Sequence, residues 1–409
     1  MNKVNAIVGQ SGGPTSAINA TLAGVIKGAA DSDAINRLYG AFNGIEGLLE
    51  GRYCDITSIA GSERDLNLLK HTPAAALGSC RLKLPEPEKG SEVFERLFSV
   101  LDKLEVKYFF YIGGNDSMDT VDKMSRYAAL AGKDIRVMGV PKTIDNDLCG
   151  TDHTPGYGSA AKYIAAVTQE ILRDTAVYSV KAVTIIEIMG RDAGWLTASA
   201  ALPGKYCGVS PDLVYLPEVV FSFEEFYEDI EKAFEKKPNV VVAVSEGVRT
   251  CDGKYVGEGT QSGVQDAFGH RYLSGTAKTL ENAVKERFGC KVRSVELNIP
   301  QRCAAHCSSK TDIDESVQIG YEAVNFAVRG DSGKMMCFER VDNEKYKIRC
   351  VARDISEIAN KIKKVPREFI NERGNNVNGN CIDYIMPLIS GEAEIEYQNG
   401  LPVHFVINR

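Results

Sequence analysis

The chain has 409 residues, 44% of them hydrophobic and 25% charged, which is enough for two α/β domains with cores of their own. A formal net charge of −7 excludes the basic footprint of a nucleic-acid-binding protein but leaves room for a phosphate site built from a few local cations. No apolar stretch approaches the length of a membrane span, and MNKVNAIVGQSGG runs directly into a strand and loop, so a cytoplasmic protein without a membrane partner is expected.

Taken in order, residues 5–8 read as a short apolar strand that empties into GQSGGPTSAINATLAGVI. Strand, glycine pair and alanine-rich helix together present backbone N–H groups to an anion, although the spacing fits neither a P-loop nor a dinucleotide-binding fingerprint. Residues 37–42 (RLYGAF) form the next strand, and ALGSCRLKLPEPEKG then places Arg81 and Lys83 in a loop. Residues 107–112 (KYFFYI) are a buried strand that empties into GGNDSMDTVDKMSRYAALAG. Met118, Val121, Met124 and Ala128 fall at helical spacing, so a helix is expected from near Asp116 or Ser117, either of which suits its cap. Gly113 and Gly114 before it make a second candidate phosphate cradle.

Residues 135–140 (IRVMGV) lead into PKTIDND, the stretch on which the chain is organised. Pro141 has no N–H for a sheet, so the strand should stop there and the loop should emerge at a sheet edge. A lysine, a threonine and two aspartates within six positions suit the handling of metal-bound phosphate; an acid-rich turn with a solvated lysine is the alternative. A helix over 154–174 follows, then strands at 182–188 (AVTIIEI), 239–244 (NVVVAV) and 292–299 (VRSVELNI), and a helix over 314–328. Glu246 is the third acid placed at a strand's carboxyl end, which points to a cleft. Residues 394–407 read as a hairpin turning at Asn399-Gly400, with Pro402 on an edge strand. The eleven cysteines form no framework, and Cys303, His306 and Cys307 lack a fourth zinc ligand, so reduced structural thiols are expected. The alternation of strand and helix implies an α/β fold, with two mainly parallel sheets facing a shared cleft.

SGG, LGSCR, GGNDS, PKTIDND, MGRDAGWL, SEG and QR stand in the order of the phosphofructokinase family, which the chain resembles over roughly residues 3–330. The resemblance implies two three-layer α/β/α domains. A phosphoryl-donor domain would cover 1–157 and be rejoined by about 311–345, a sugar-phosphate domain would cover 158–310, and 346–409 would be a C-terminal extension with the hairpin. ATP-using members usually carry a glycine where this chain has Asp116, and commonly one at Lys142. Aspartate and lysine there resemble the pyrophosphate-dependent branch. At about 4 Å and an effective dielectric of 20, a carboxylate at Asp116 beside a nucleotide's α-phosphate costs roughly 4 kcal/mol, about a thousandfold against ATP.

The resemblance implies reversible transfer from Mg²⁺-pyrophosphate to the 1-hydroxyl of fructose 6-phosphate, serving glycolysis or gluconeogenesis. Asp145 would be the general base and Asp147 its helper, with Thr143, Lys142 and Arg191 stabilising the moving phosphoryl group. Gly13, Arg81, Gly114, Asp116, Ser117 and Lys142 would hold pyrophosphate. Thr143, Asp145, Asp147, Met189, Gly190, Arg191, Glu246 and Arg302 would hold the sugar phosphate. Three positions depart from the pattern: Asn115 replaces an acid that helps place Mg²⁺, Ala182 with Lys181 replaces an arginine reaching a neighbouring subunit, and Lys310 is the nearest substitute for a second. A homodimer or homotetramer is implied. An ATP-dependent enzyme and a catalytically weak regulatory subunit are the alternatives.

Overall fold

The computed structural model describes residues 3–258, 275–342 and 345–407. The chain lays down β1 (Val4–Gln10), β2 (Ile35–Ala41), β3 (Tyr53–Asp55), β4 (Val106–Gly113) and β5 (Arg136–Pro141). It then crosses to a second sheet of β6 (Ala182–Ile188), β7 (Leu213–Tyr215), β8 (Asn239–Ser245) and β9 (Lys291–Glu296). Finally it returns to add β10 (Lys334–Asp342) and β11 (Lys347–Asp354) to the first.

The first sheet runs β11-β10-β5-β4-β1-β2-β3 and is parallel except where β3 and β11 pair antiparallel at its two ends. The second runs β7-β8-β6-β9 and is parallel throughout. Parallel strands are buried on both faces, which is why β4 and β8 read as nearly unbroken apolar runs. Alternate residues serve opposite faces: Val8, Phe110 and Met138 enter one core of the first sheet, while Ile7, Phe109 and Val137 enter the other. The second sheet is likewise flanked by two cores. The architecture is therefore two α/β/α layers, the phosphofructokinase-like fold expected.

The helix Lys310–Arg329 brings the chain back across and packs on the helix Ile18–Asp31. They approach closely because glycines face each other: Gly24 sits against Val317 and Tyr321, and Gly320 against Thr21 and Val25.

Two expectations need correction. β5 lies between β10 and β4 rather than at an edge of the sheet; Pro141 costs no ladder bond because it is the strand's last residue, opposite Gly113. The chain beyond residue 346, expected as an extension, is instead built into both halves. β11 is an outer strand of the first sheet, and Ile355 and Ile358 join that sheet's core. Val365, Ile370, Val377, Cys381, Ile385 and Leu388 enter a core of the second. At its end, β12 (Tyr397–Gln398) and β13 (Leu401–Pro402) pair through Asn399 and Gly400, both left-handed as a type I′ turn requires.

Candidate active site

The carboxyl ends of the parallel strands open on a cleft of about 600 Å³ between the two sheets. In open α/β sheets ligands bind at this edge because loops leave the strands there with backbone groups unpaired. β1 delivers Gly13, β4 delivers Gly114 to Ser117, and β5 delivers Lys142, Thr143, Asp145 and Asp147. From the second sheet, β6 delivers Met189 and Arg191, β8 delivers Glu246, and the segment after β9 delivers Arg302. Arg81 completes the first side; Lys83, from the same loop, is exposed and does not line the cleft.

The first side is cationic and glycine-rich. Gly12 turns the chain with φ +77°, and a side chain there would meet the Lys142 Nζ atom at 3.2 Å. Lys142 is 3% exposed and donates to the Gly13 carbonyl at 2.6 Å. Burial pulls its pKa down to about 8, against the opposing pull of Asp145. The helix facing it is Asn115–Leu130, which begins earlier than Asp116. Gly114 occupies the cap position without a side-chain cap, and its carbonyl accepts from the Ser117 N–H at 3.0 Å, so the positive end of the helix stands at the cleft. Asp116 stands in that first turn.

Asn115 has a different occupation from the acid it replaces. Its amide donates to the Lys361 carbonyl at 2.9 Å and accepts from the Asn360 N–H at 2.7 Å. That pairing needs one donor and one acceptor, which a carboxylate cannot supply. The loop it secures brings Asn360 and Ile362 into the cleft wall.

At the middle lies the loop from Lys142 to Gly156. The Asp145 N–H donates to the Thr143 hydroxyl at 3.1 Å, and that hydroxyl lies 3.3 Å from the Asp145 carboxylate. Thr154 in turn donates to the Thr143 carbonyl at 2.8 Å. Asp145 is held above the usual carboxylate range by burial, against the pull of Lys142. Burial and repulsion from Asp145 push Asp147 up to about 7. Two carboxylates that repel each other in a cleft are a donor set that fits Mg²⁺, which takes one or two carboxylates and completes its shell with water or substrate oxygens. Among the described residues no group of three or more His, Cys, Asp or Glu could hold a metal by itself.

The second side presents acids and arginines. Glu246 accepts from the Gly190 N–H at 3.3 Å, and burial raises its pKa to about 8. Gly190 has φ +136°, a conformation closed to other residues, and it shapes this turn without itself lining the cleft. Gln301 accepts from the Met189 N–H at 3.2 Å and so ties the two segments of this wall together. The Arg302 Nε atom is buried without a hydrogen-bond partner, and one terminal nitrogen of Arg302 lies 3.7 Å from where a side chain at Gly13 would begin. Arg302 therefore reaches across to the first side. Lys181 lies 5.2 Å from the centroid of the Phe234 ring and Lys310 pairs with Asp314, so neither stands in this chain's cleft.

Several lining residues were not anticipated. Glu187 accepts from the Ala277 N–H at 2.7 Å, and burial pushes its pKa up to about 7. Its signal was an acid inside the apolar run AVTIIEI. Glu296, Asn298, Asn360 and Ile362 carried none.

Residues 5–327 match the sequence profile described as Phosphofructokinase. The chain belongs to the phosphofructokinase family. It is 40% identical over 405 residues to a Halomonas elongata protein named pyrophosphate–fructose 6-phosphate 1-phosphotransferase, covering 98% of this chain and 96% of that one. A Xanthomonas campestris pv. campestris protein of the same name is 39% identical, covering 98% and 96%. The crystal structure of a pyrophosphate-dependent phosphofructokinase from Nitrosospira multiformis superposes with a TM-score of 0.88 at 36% identity, covering 98% of this chain and 95% of that one. The fold is thus shared with a solved relative over nearly the full chain.

Proposed function

We propose that this phosphofructokinase transfers a phosphoryl group reversibly between pyrophosphate and the 1-hydroxyl of D-fructose 6-phosphate, yielding fructose 1,6-bisphosphate and phosphate. The observation that carries the choice of donor is the buried Lys142 ammonium lying on the Gly12–Gly13 turn, with Asp116 in the first turn of the facing helix. A buried point charge suits a compact polyanion, and a carboxylate near it disfavours the longer chain of a nucleotide. Relatives at 39–40% identity bear the name of the pyrophosphate enzyme, which supports the same choice.

In this reading the first side binds pyrophosphate through Gly13, Arg81, Gly114, Ser117 and Lys142, and the second binds the sugar through Met189, Arg191, Glu246 and Arg302. Asp145 takes the proton of the 1-hydroxyl as its oxygen bonds to phosphorus and the bridging P–O bond breaks, releasing phosphate. A carboxyl raised by burial is a stronger base than a free one, which supports that role. Thr143 fixes Asp145, and Arg191 and Lys142 meet the charge on the transferring group. Glu246, neutral near pH 7, donates to a sugar oxygen. Asp147 would hold Mg²⁺, which would neutralise charge on pyrophosphate; the tethered Asn115 amide is the lesser donor. We place the enzyme in the cytoplasm as a homodimer or homotetramer. Among the described residues no helix is long and apolar enough to cross a membrane, and Val177, Tyr178 and Val180 are exposed together beside Lys181.

The test is the initial rate with fructose 6-phosphate and magnesium, with pyrophosphate or ATP as sole donor. Turnover with pyrophosphate alone is expected, and turnover with ATP alone would overturn the donor assignment. Asp145→Ala should retain fructose 6-phosphate binding and lose turnover; surviving turnover would remove Asp145 as the base.

A further inference from the structure

Between the two cleft carboxylates stands Asn146, with no exposed surface and a left-handed backbone at φ +53°. Asparagine is among the few residues other than glycine that adopt this conformation readily. Here both ends of the side-chain amide are committed: its oxygen accepts from the Lys363 ammonium at 3.0 Å, and its nitrogen donates to the Tyr384 hydroxyl at 3.0 Å. Lys363 does more than this. Its ammonium also reaches the carbonyls of Asp152 at 2.7 Å and Thr151 at 3.3 Å, on the returning limb of the same loop. Its own N–H donates to the Asp147 carbonyl at 2.7 Å. Tyr384 matches it from the other side, donating to the Asp152 carbonyl at 2.5 Å. The segment that carries Lys363 is fastened at its near end by Asn115, through Asn360 and Lys361.

We propose that Lys363 is a positioning residue for the phosphoryl transfer: with Tyr384 it locks Asn146, and thereby sets where Asp145 and Asp147 stand in the cleft. It touches neither the reacting atoms nor the sugar, and acts through the loop that bears the base. The proposal rests on the reading of the cleft as a phosphotransferase site.

A residue that orients the base should affect kcat and spare ground-state binding, because misplacing a reacting group by about 1 Å costs on the order of a hundredfold. Lys363→Met keeps the aliphatic stem and removes the three ammonium bonds. It is expected to lower kcat roughly a hundredfold while leaving the KM for fructose 6-phosphate near that of the wild type. Tyr384→Phe, a smaller change, should lower kcat in the same direction, and the double variant should fall short of the product of the two single effects. Trp195, the one tryptophan of the chain, donates to the Lys363 carbonyl at 2.9 Å and lies 5.3 Å from its ammonium nitrogen to the ring centroid. Its fluorescence therefore reports whether the segment is still docked. Should Lys363→Met undock it, Tyr384→Phe supplies the decision.

Wild-type kcat in either variant with the segment docked would overturn the proposal. So would parallel changes in kcat, KM and melting temperature in both, since those mark support of the fold alone. Rates are taken with whichever donor the wild type uses. A wild type silent with both donors would overturn the activity and this proposal together, whereas an active wild type beside an unimpaired Lys363→Met would overturn this proposal alone.

Discussion

Substituting Lys142 by methionine should move activity and stability in opposite directions. The ammonium is 3% exposed, and burial takes its pKa from the usual 10.5 to about 8. At neutral pH the folded protein thus holds a charge that the unfolded chain holds more easily, at a cost of ~3 kcal/mol at 1.36 kcal/mol per pH unit. Loss of the bond to the Gly13 carbonyl returns about 1 kcal/mol of that, leaving the methionine variant more stable by roughly 2 kcal/mol. The lowered lysine pKa makes this cost complete below pH 8 and relieves it as pH rises toward 10.5, so the advantage of the variant should shrink over that window. Pyrophosphate use should fall meanwhile, since one charge at about 4 Å and a dielectric of 20 contributes roughly 4 kcal/mol, near a thousandfold in kcat/KM. The assay is kcat/KM for pyrophosphate against pH, with thermal melting of both proteins at pH 7 and pH 10. Wild-type kcat/KM should decline above pH 8 as the ammonium is lost. Glu246 titrates in the same region, and Glu246→Gln should keep that decline. A methionine variant that melts no higher at pH 7, or uses pyrophosphate as well as the wild type, would refute the reasoning from a buried functional charge.

Asp147→Asn removes the negative neighbour of Asp145, so the acid limb of the remaining rate should move to lower pH; a pH–rate profile checks this, and an unmoved limb would separate the two carboxylates. Asp116→Gly, alone or with Lys142→Gly, should introduce ATP-dependent turnover, measured against pyrophosphate in the same preparation; no gain from the double variant would mean that other walls exclude the nucleotide. Gly24→Ala would force a methyl group into the Val317 carbonyl at the crossing of Ile18–Asp31 with Lys310–Arg329, and should lower stability by ~2 kcal/mol in a denaturant titration.

Much of this site was legible because its chemistry is local in sequence. Lys142, Thr143, Asp145 and Asp147 lie within six positions at the end of an apolar strand, and the glycine pairs before two helices marked the places where backbone meets ligand. The strands were legible for the same reason, since burial on both faces leaves an unbroken apolar run, as in β8. What lay outside this reach depends on partners distant along the chain. Asn115 looked like a weakened metal ligand; its amide is matched to a peptide group 245 residues away. Lys363 sits among charged neighbours in a stretch with no periodicity, and its partner Asn146 is 217 residues earlier. β11 went unrecognised because it is half-exposed at the sheet's edge and lacks a buried run.

Two of the passages that the chain makes between its sheets also line the cleft. The outward passage, from β5 to the helix Tyr157–Thr175, carries Lys142, Asp145 and Asp147. The return, from β9 to the helix Lys310–Arg329, carries Gln301 and Arg302. A cut at either passage falls among residues that line the cleft, so splitting the protein at this seam would unfix either the acids or the arginine. The two halves are therefore not separable modules, because the connections between them form walls of the cleft they share.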